Sequence, residues 1–245
     1  MWVKHALAAL EALEAVGTEA EAFGALASYA EALGADLVSY HYRPPPLFDA
    51  EPPTEVLARG FPDAWVARYR EERLHRTDPI TSLAATRTRP FLWSRVEAIA
   101  GDLAPEQADY LAQLRAWLSP GDGLAVPAFG PSGQHGYFGI GSTRGIDYGW
   151  TPVQVRLVQG VCEAMHLRVC ELRLQGLPPD GLSLSARETE ILRGLASGRA
   201  DWLIGGLVGL DAEGVRGRIR SLMRDLGVSD RPSLVLRARS LGLVD

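Results

Sequence analysis

Two groups of residues in this chain have the types and spacing to do chemistry. The first lies in 61–93. Trp65 and Tyr69 are four apart and so share a helix face. Asp78-Pro79 follows as a turn, and Pro90-Phe91-Leu92-Trp93 closes the segment. Aromatic walls with one carboxylate describe an apolar pocket holding a single strong acceptor. The same residues also describe a packed core with two tryptophans and an aspartate that caps a helix. Spacing alone favours this second reading. The second group is Arg216, Arg220 and Arg224, spaced by four into one helical stripe, with Arg218 to the side. Opposite them Val215, Ile219, Leu222 and Leu226 form an apolar face. Such a helix suits a DNA major groove, where arginine bonds guanine edges in pairs and neutralises phosphates. Most charged helix faces are merely solvated, so the elements around this one carry weight.

Those elements read as helix, turn, helix. Ser185 caps a helix, and Glu188, three residues on, completes a capping box. Ile191, Leu192, Leu195 and Ala196 form its apolar face, and Gly198 ends it. A second short helix carries Trp202, Leu203, Ile204, Leu207 and Val208. Gly209-Leu210 turns the chain, and Asp211 caps the arginine-bearing helix, which Gly227 stops. Gly205, Gly206, Gly214 and Gly217 sit inside these helices, each at a cost of ~1 kcal/mol relative to alanine. The segment is therefore expected to be loosely folded alone and to need dimerisation or ligand to become rigid.

Upstream, helical patterns cover 3–15, 19–33, 62–73, 103–118 and 153–174. Strand patterns cover 36–42, 123–129 and 136–140, with Gly130-Pro131-Ser132-Gly133 as a turn and Pro44-Pro45-Pro46 ending the first strand. Helices, a strand, a hairpin and a long helix predict a small antiparallel sheet with helices on both faces. Gly176-Leu177-Pro178-Pro179-Asp180-Gly181 cannot continue a helix and marks the boundary. The reading is an α/β amino-terminal domain over 1–175, a linker over 176–183, and an all-α helix-turn-helix domain over 184–245.

Composition agrees with a globular chain: 245 residues, 47% hydrophobic, 22% charged. No apolar run is long enough for a membrane span, and the first residues lack a secretory signal pattern. The net charge of -5 is unevenly spread. Residues 182–245 hold ten arginines and eight acids, so an acidic body precedes a mildly basic end. Cys162 and Cys170 stand eight apart on one helix, about 12 Å along its axis, too far to be bridged. They read as small buried apolar residues, which fits a reducing cytoplasm. His41, His75 and His135 have no metal-like spacing and read as surface or structural; no metal site and no cofactor is expected.

Residues 184–228 resemble the DNA-binding domain of the LuxR family of bacterial regulators. The resemblance rests on Leu184-Ser-Ala-Arg-Glu188, Leu192, Gly198, Ile204, Gly209-Leu210, Val215 and Leu226-Gly227-Val228. It implies that the helix over 211–226 enters the major groove and that Arg216 and Arg220 read bases. The pattern Trp65-x3-Tyr69-x8-Asp78-Pro79-x13-Trp93, with Gly123 and Pro127 downstream, resembles the autoinducer-binding domain of the same family. That resemblance implies an α/β/α sandwich that binds N-acyl-homoserine lactones. In it Trp65 donates its indole N–H to the lactone carbonyl, and Asp78 accepts the ligand amide N–H. Tyr69 and Trp93 wall the pocket, and Gly123 leaves room beside the lactone. Phe61 and Gly139 stand where family members carry hydroxyls that bond the acyl carbonyl. With both hydroxyls missing, that carbonyl is left to water, to Ser39 or Tyr40, or to nothing, which admits an unusual acyl or aryl lactone or a different signal; Gly139 is expected to add room for a bulkier or longer group.

The chain is thus expected to be a quorum-sensing transcription regulator responsive to a small signal. Its expected partners are double-stranded DNA with a palindromic site, a second copy of the chain paired through 152–174 and 231–242, the autoinducer, and RNA polymerase. Two other readings exist: a ligand-independent or heterodimerising regulator that silences a partner, and an enzyme. Against the enzyme, Ser132 and Ser142 lie in no Gly-x-Ser-x-Gly elbow, and 139–145 has the wrong glycine spacing for a nucleotide loop.

Overall fold

A computed structural model describes residues 1–44, 54–118, 121–130, 134–144, 150–175 and 184–244. The expected linker over 176–183 lies outside these residues. So do parts of the 130–133 turn and of the proline run at 44–46. The chain divides into two compact units. The first is built from Met1–Arg43, Pro53–Gly130 and His135–Leu172, and the bulk of the second is Arg173–Asp245.

The first unit opens with two helices packed together, α1 (Trp2–Ala15) and α2 (Glu19–Ala32). Thr18 starts α2 with a complete capping box to Glu21. The sheet follows: β1 (Leu37–Arg43), β2 (Glu55–Arg59), β3 (Phe91–Leu92), β4 (Asp122–Phe129) and β5 (His135–Ser142). Its strand order is β2-β1-β5-β4-β3, and every pairing is antiparallel. Between β2 and β4 run α3 (Asp63–Glu71), α4 (Pro79–Ala84), α5 (Val96–Ala100) and α6 (Pro105–Leu118). Short 3-10 turns cover Leu74–Arg76 and Trp93–Arg95. The long α7 (Pro152–Gln175) follows β5.

Side chains alternate across the strands, so the sheet separates two cores. Val38, Tyr40, Tyr42, Leu124, Val126, Phe138 and Ile140 pack with α1, α2 and α7. Leu37, Ala125 and Tyr137 pack with the α3–α6 side, among Tyr69, Ile80, Tyr110, Leu111 and Leu114. This is the α/β/α arrangement expected. Cys162 and Cys170 are buried in the first core as free thiols. The sequence reading missed β2, β3, α4 and α5. β2 is a five-residue edge strand, Glu-Val-Leu-Ala-Arg, whose residues favour helix as much as strand. β3 has two residues, and α4 and α5 have six and five, too few for a period to show.

The second unit is all helical: α8 (Ala186–Ala196), α9 (Asp201–Val208), α10 (Ala212–Asp225) and α11 (Arg231–Ser240). The Ser185–Glu188 capping box is complete. Asp211 caps α10 through Gly214 N at 2.7 Å, and Gly209 turns the chain at φ 69°. Ile191, Leu192, Ile204, Val215, Ile219, Leu222 and Leu234 form one core. A bidentate pair from Arg231 to Asp201, at 2.7 and 2.8 Å, ties the start of α11 to the start of α9.

The helix glycines do not act as one class. A Cβ on Gly205 would lie 2.4 Å from the Leu210 carbonyl oxygen, so the tight return from α9 requires glycine there. This corrects the expectation that each glycine only loosens the reader. Gly206 and Gly217 face open space. Gly206→Ala is therefore expected to stabilise the full chain by about 1 kcal/mol, and Gly205→Ala to destabilise it. Thermal melts of the two variants check the opposite signs.

Candidate ligand cavity and nucleic-acid interface

Between the sheet and α3–α6 lies a largely aromatic cavity. Ser39 of β1, Val56 and Ala58 of β2, Trp65 and Tyr69 of α3, and Trp93 border it, as do Phe61, Tyr110, Leu114 and Tyr137. α3 begins at Asp63 after Pro62, so Phe61 stands just before the helix and still reaches the cavity. Trp65 and Tyr69 project from one face of α3. Trp65 stacks on Trp117 of α6 at 6.1 Å and 10°. Phe61 stacks on the same indole at 5.5 Å. Trp117 and Tyr110 lie on α6, whose polar and apolar residues gave no sign of a site.

Asp78 is fully buried and stands behind Tyr69 and Tyr110. Its Oδ1 accepts the Ile80 backbone N–H at 2.8 Å and so caps α4, with Pro79 in the first turn. Its Oδ2 accepts the hydroxyls of Tyr69 at 2.9 Å and Tyr110 at 3.2 Å. The structure thus shows Asp78 as the helix cap and as an acceptor for two phenols, set behind the cavity wall. Burial pushes the Asp78 carboxyl up to about 6, while Ile80 N–H, Tyr69 and Tyr110 pull it back. Burial, with Asp78 beside them, drives the phenols of Tyr69, Tyr110 and Tyr137 well above their usual range, so they stay protonated.

Trp93 fills the floor. A Cβ on Gly123 would lie 2.3 Å from its indole, one on Gly139 2.7 Å, and one on Gly141 3.1 Å. The space released by Gly123 and Gly139 thus receives the Trp93 ring, which corrects the expectation of open room beside a lactone or acyl group. The buried Trp93 indole N–H has no partner among the described residues, and such a donor costs about 1–3 kcal/mol until it is met. Ser39 Oγ lies 3.2 Å from His41 Nε2. Tyr40 points to the other face of the sheet and bonds His166 Nδ1 at 2.8 Å, so it does not reach the cavity. His41 is buried at 5% exposure, stacks on Tyr137, and was missed because histidine in an alternating strand reads as solvent-facing. Burial, with His75 nearby, lowers it to about 3. No group of three His, Cys, Asp or Glu able to hold a metal exists among the described residues.

In the second unit Arg216, Arg218, Arg220 and Arg224 all lie exposed on α10, opposite Val215, Ile219 and Leu222. Glu213 engages two of them, Arg216 at 2.8 Å and Arg220 at 3.2 Å. Arg218 approaches Glu188 of α8 at 3.6 Å.

An apolar cavity in one unit and a capped helix-turn-helix in the other are the parts of a signal-binding transcription regulator. The autoinducer binding domain family matches residues 18–169, and the luxR family of bacterial regulatory proteins matches 182–238. The chain belongs to this LuxR family. It is similar to the transcriptional activator protein AnoR of Acinetobacter nosocomialis, 27% identical over 96% of this chain and 97% of that one. Its fold is similar to that of Escherichia coli SdiA, with TM-score 0.76, 18% identity and 96% of each chain covered. SdiA in complex with octanoyl-rac-glycerol matches with TM-score 0.74 and 17% identity, over 96% of this chain and 94% of that one. The protein is an autoinducer-binding, DNA-binding transcription regulator of the quorum-sensing family, and not an enzyme.

The Asp78 carboxyl sets a pH dependence. Its folded value lies above the ordinary ~3.9, so the folded chain holds the proton more tightly than the unfolded one. That contribution to stability is complete below about pH 3.9 and is lost as pH rises through about 6. Thermal melts of the unliganded protein and of Asp78→Asn are expected to differ in their pH slope across this window alone. Parallel slopes would refute the assignment.

Proposed function

We propose that this regulator senses an N-acyl-homoserine lactone held in the cavity beside Trp65, Tyr69 and Trp93. The observation that carries the reading is a cavity whose walls are apolar while its few polar atoms are directional. A carboxylate has about four acceptor positions. Asp78 accepts from Ile80, Tyr69 and Tyr110, and a ligand amide N–H would take the place of one of these phenols. The unmet Trp93 N–H and the Ser39 hydroxyl suit ligand carbonyls, and Trp65 supplies a further indole donor. Phe61 adds apolar wall, and Gly123 and Gly139 act through the Trp93 ring that they admit. Each methylene of an acyl chain buried there contributes about 0.8 kcal/mol.

Ligand that completes this core stabilises the bound state by mass action and biases a homodimer toward one arrangement of its DNA readers. α7 and α11 are the proposed pairing surfaces, where Val153, Leu167 and Leu236 are exposed. Arg216 and Arg220 read base edges in a palindromic site, Arg218 and Arg224 hold phosphates, and RNA polymerase is the downstream partner. A role on DNA places the working protein in the cytoplasm. No helix among the described residues is long and apolar enough to cross a membrane.

The test is co-expression of the full chain with a lactone library and with octanoylglycerol, followed by mass spectrometry of what the purified protein retains. Trp65→Phe and Asp78→Ala are expected to lose retained lactone. If Asp78→Ala, still folded, holds lactone as well as the parent, the cavity assignment fails. Arg216→Ala and Arg220→Ala are expected to keep ligand and to lose about 1–3 kcal/mol of discrimination at one base position each. Glu213→Gln, which frees both guanidiniums, is expected to raise affinity for non-specific DNA a few-fold in a fluorescence titration.

A further inference from the structure

The ligand cavity has a neighbour. A second cavity is bordered by Arg43, His75, Thr81, Ser82 and His135, among others. Two residues border both spaces, His41 and Tyr137. The β1–β5 register explains why. On the face toward α3–α6, Ser39 pairs with Gly139, His41 with Tyr137, and Arg43 with His135. Successive pairs on one face are about 6.6–6.8 Å apart. The ladder therefore runs from the first cavity, at Ser39, through the His41–Tyr137 pair, to the second cavity, at Arg43 and His135.

The middle pair is built as a partition. The two rings stack with centroids 4.2 Å apart and 18° between planes. Tyr69 meets the His41 ring edge-on at 5.2 Å and 77°. Ser39 holds the His41 ring at Nε2, and both rings are 5% exposed. Three aromatic rings on three elements thus close the cavity at the end away from Trp93.

We propose that the stacked His41–Tyr137 pair is the end wall of the ligand cavity and makes this regulator selective for signals with a compact acyl group. A long acyl chain would have to break the stack to reach the second cavity. The inference rests on the lactone reading above and adds which acyl groups fit.

The experiment uses the full-length chain expressed with butanoyl-, hexanoyl- or dodecanoyl-homoserine lactone, with retained ligand measured by mass spectrometry. The parent is expected to hold hexanoyl over dodecanoyl by about tenfold or more, which is about 1.4 kcal/mol. His41→Gly and Tyr137→Ala, with folding checked by circular dichroism, are expected to shift that ratio about tenfold or more toward dodecanoyl. Ser82→Trp, an exposed position at the rim of the second cavity, is expected to leave hexanoyl retention unchanged. It keeps the test decisive even where a wall variant fails to fold. Equal retention of hexanoyl and dodecanoyl by the parent would overturn the wall while leaving the lactone reading intact. So would folded wall variants with the parental preference, or loss of hexanoyl in Ser82→Trp. A parent that holds none of the three lactones would overturn the lactone reading and this inference with it.

Discussion

The carboxylate of Asp78 is the point on which the ligand-binding unit is assembled. A charge taken fully out of water is costly unless its lone pairs are met. Here they are met from three directions: the first turn of α4, a phenol on α3 and a phenol on α6. Each donor comes from a different helix, so satisfying the carboxylate fixes three helices against one another above the sheet. The helices are short, and α4 with six residues would not persist alone. Their order comes from this shared acceptor and from the apolar residues packed around it.

That arrangement also explains the character of the cavity. The phenols that hold Asp78 border the empty space, while the carboxylate itself lies behind them. Glycines at 123, 139 and 141 on two neighbouring strands let one indole lie flat against the sheet. The cavity floor is thereby a rigid aromatic surface with its N–H unmet. Bulk that another sequence would spend on three β-carbons is here concentrated in a single ring. Shape in such a site follows from where glycines permit a large side chain as much as from the side chain itself.

Much of this could be read from the chain alone, and the boundary is instructive. α1, α2, α6, α7 and the helix-turn-helix were legible because long helical periods and a capping pair such as Ser185–Glu188 are local signals. Trp65, Tyr69, Asp78 and Trp93 were legible as a set through a family pattern. Tyr110, His41 and Tyr137 were not, because their meaning depends on which strand pairs with which, and on the packing of α6 over α3. The role of Gly139 was misread for the same reason: the volume it frees is claimed by Trp93, forty-six positions earlier in the chain. Non-local pairing, rather than composition, decided each of these.

The reader helix poses a separate electrostatic problem. Arginines spaced by four repel one another when a DNA phosphate is not there to receive them, and Glu213 sits one turn before Arg216 and two before Arg220. It lies in the first turn of α10, where the helix N-terminus favours a negative charge. The same carboxylate therefore steadies the helix start and holds two guanidiniums in place. Exposed ion pairs of this kind are weak, so the duplex can take the arginines over at small cost. On the proposed reading, affinity for any phosphate backbone is lowered by the competing carboxylate, whereas a base edge that offers paired acceptors to Arg216 or Arg220 is favoured in proportion to its geometry. Discrimination thus gains from a charge that, counted alone, only opposes binding.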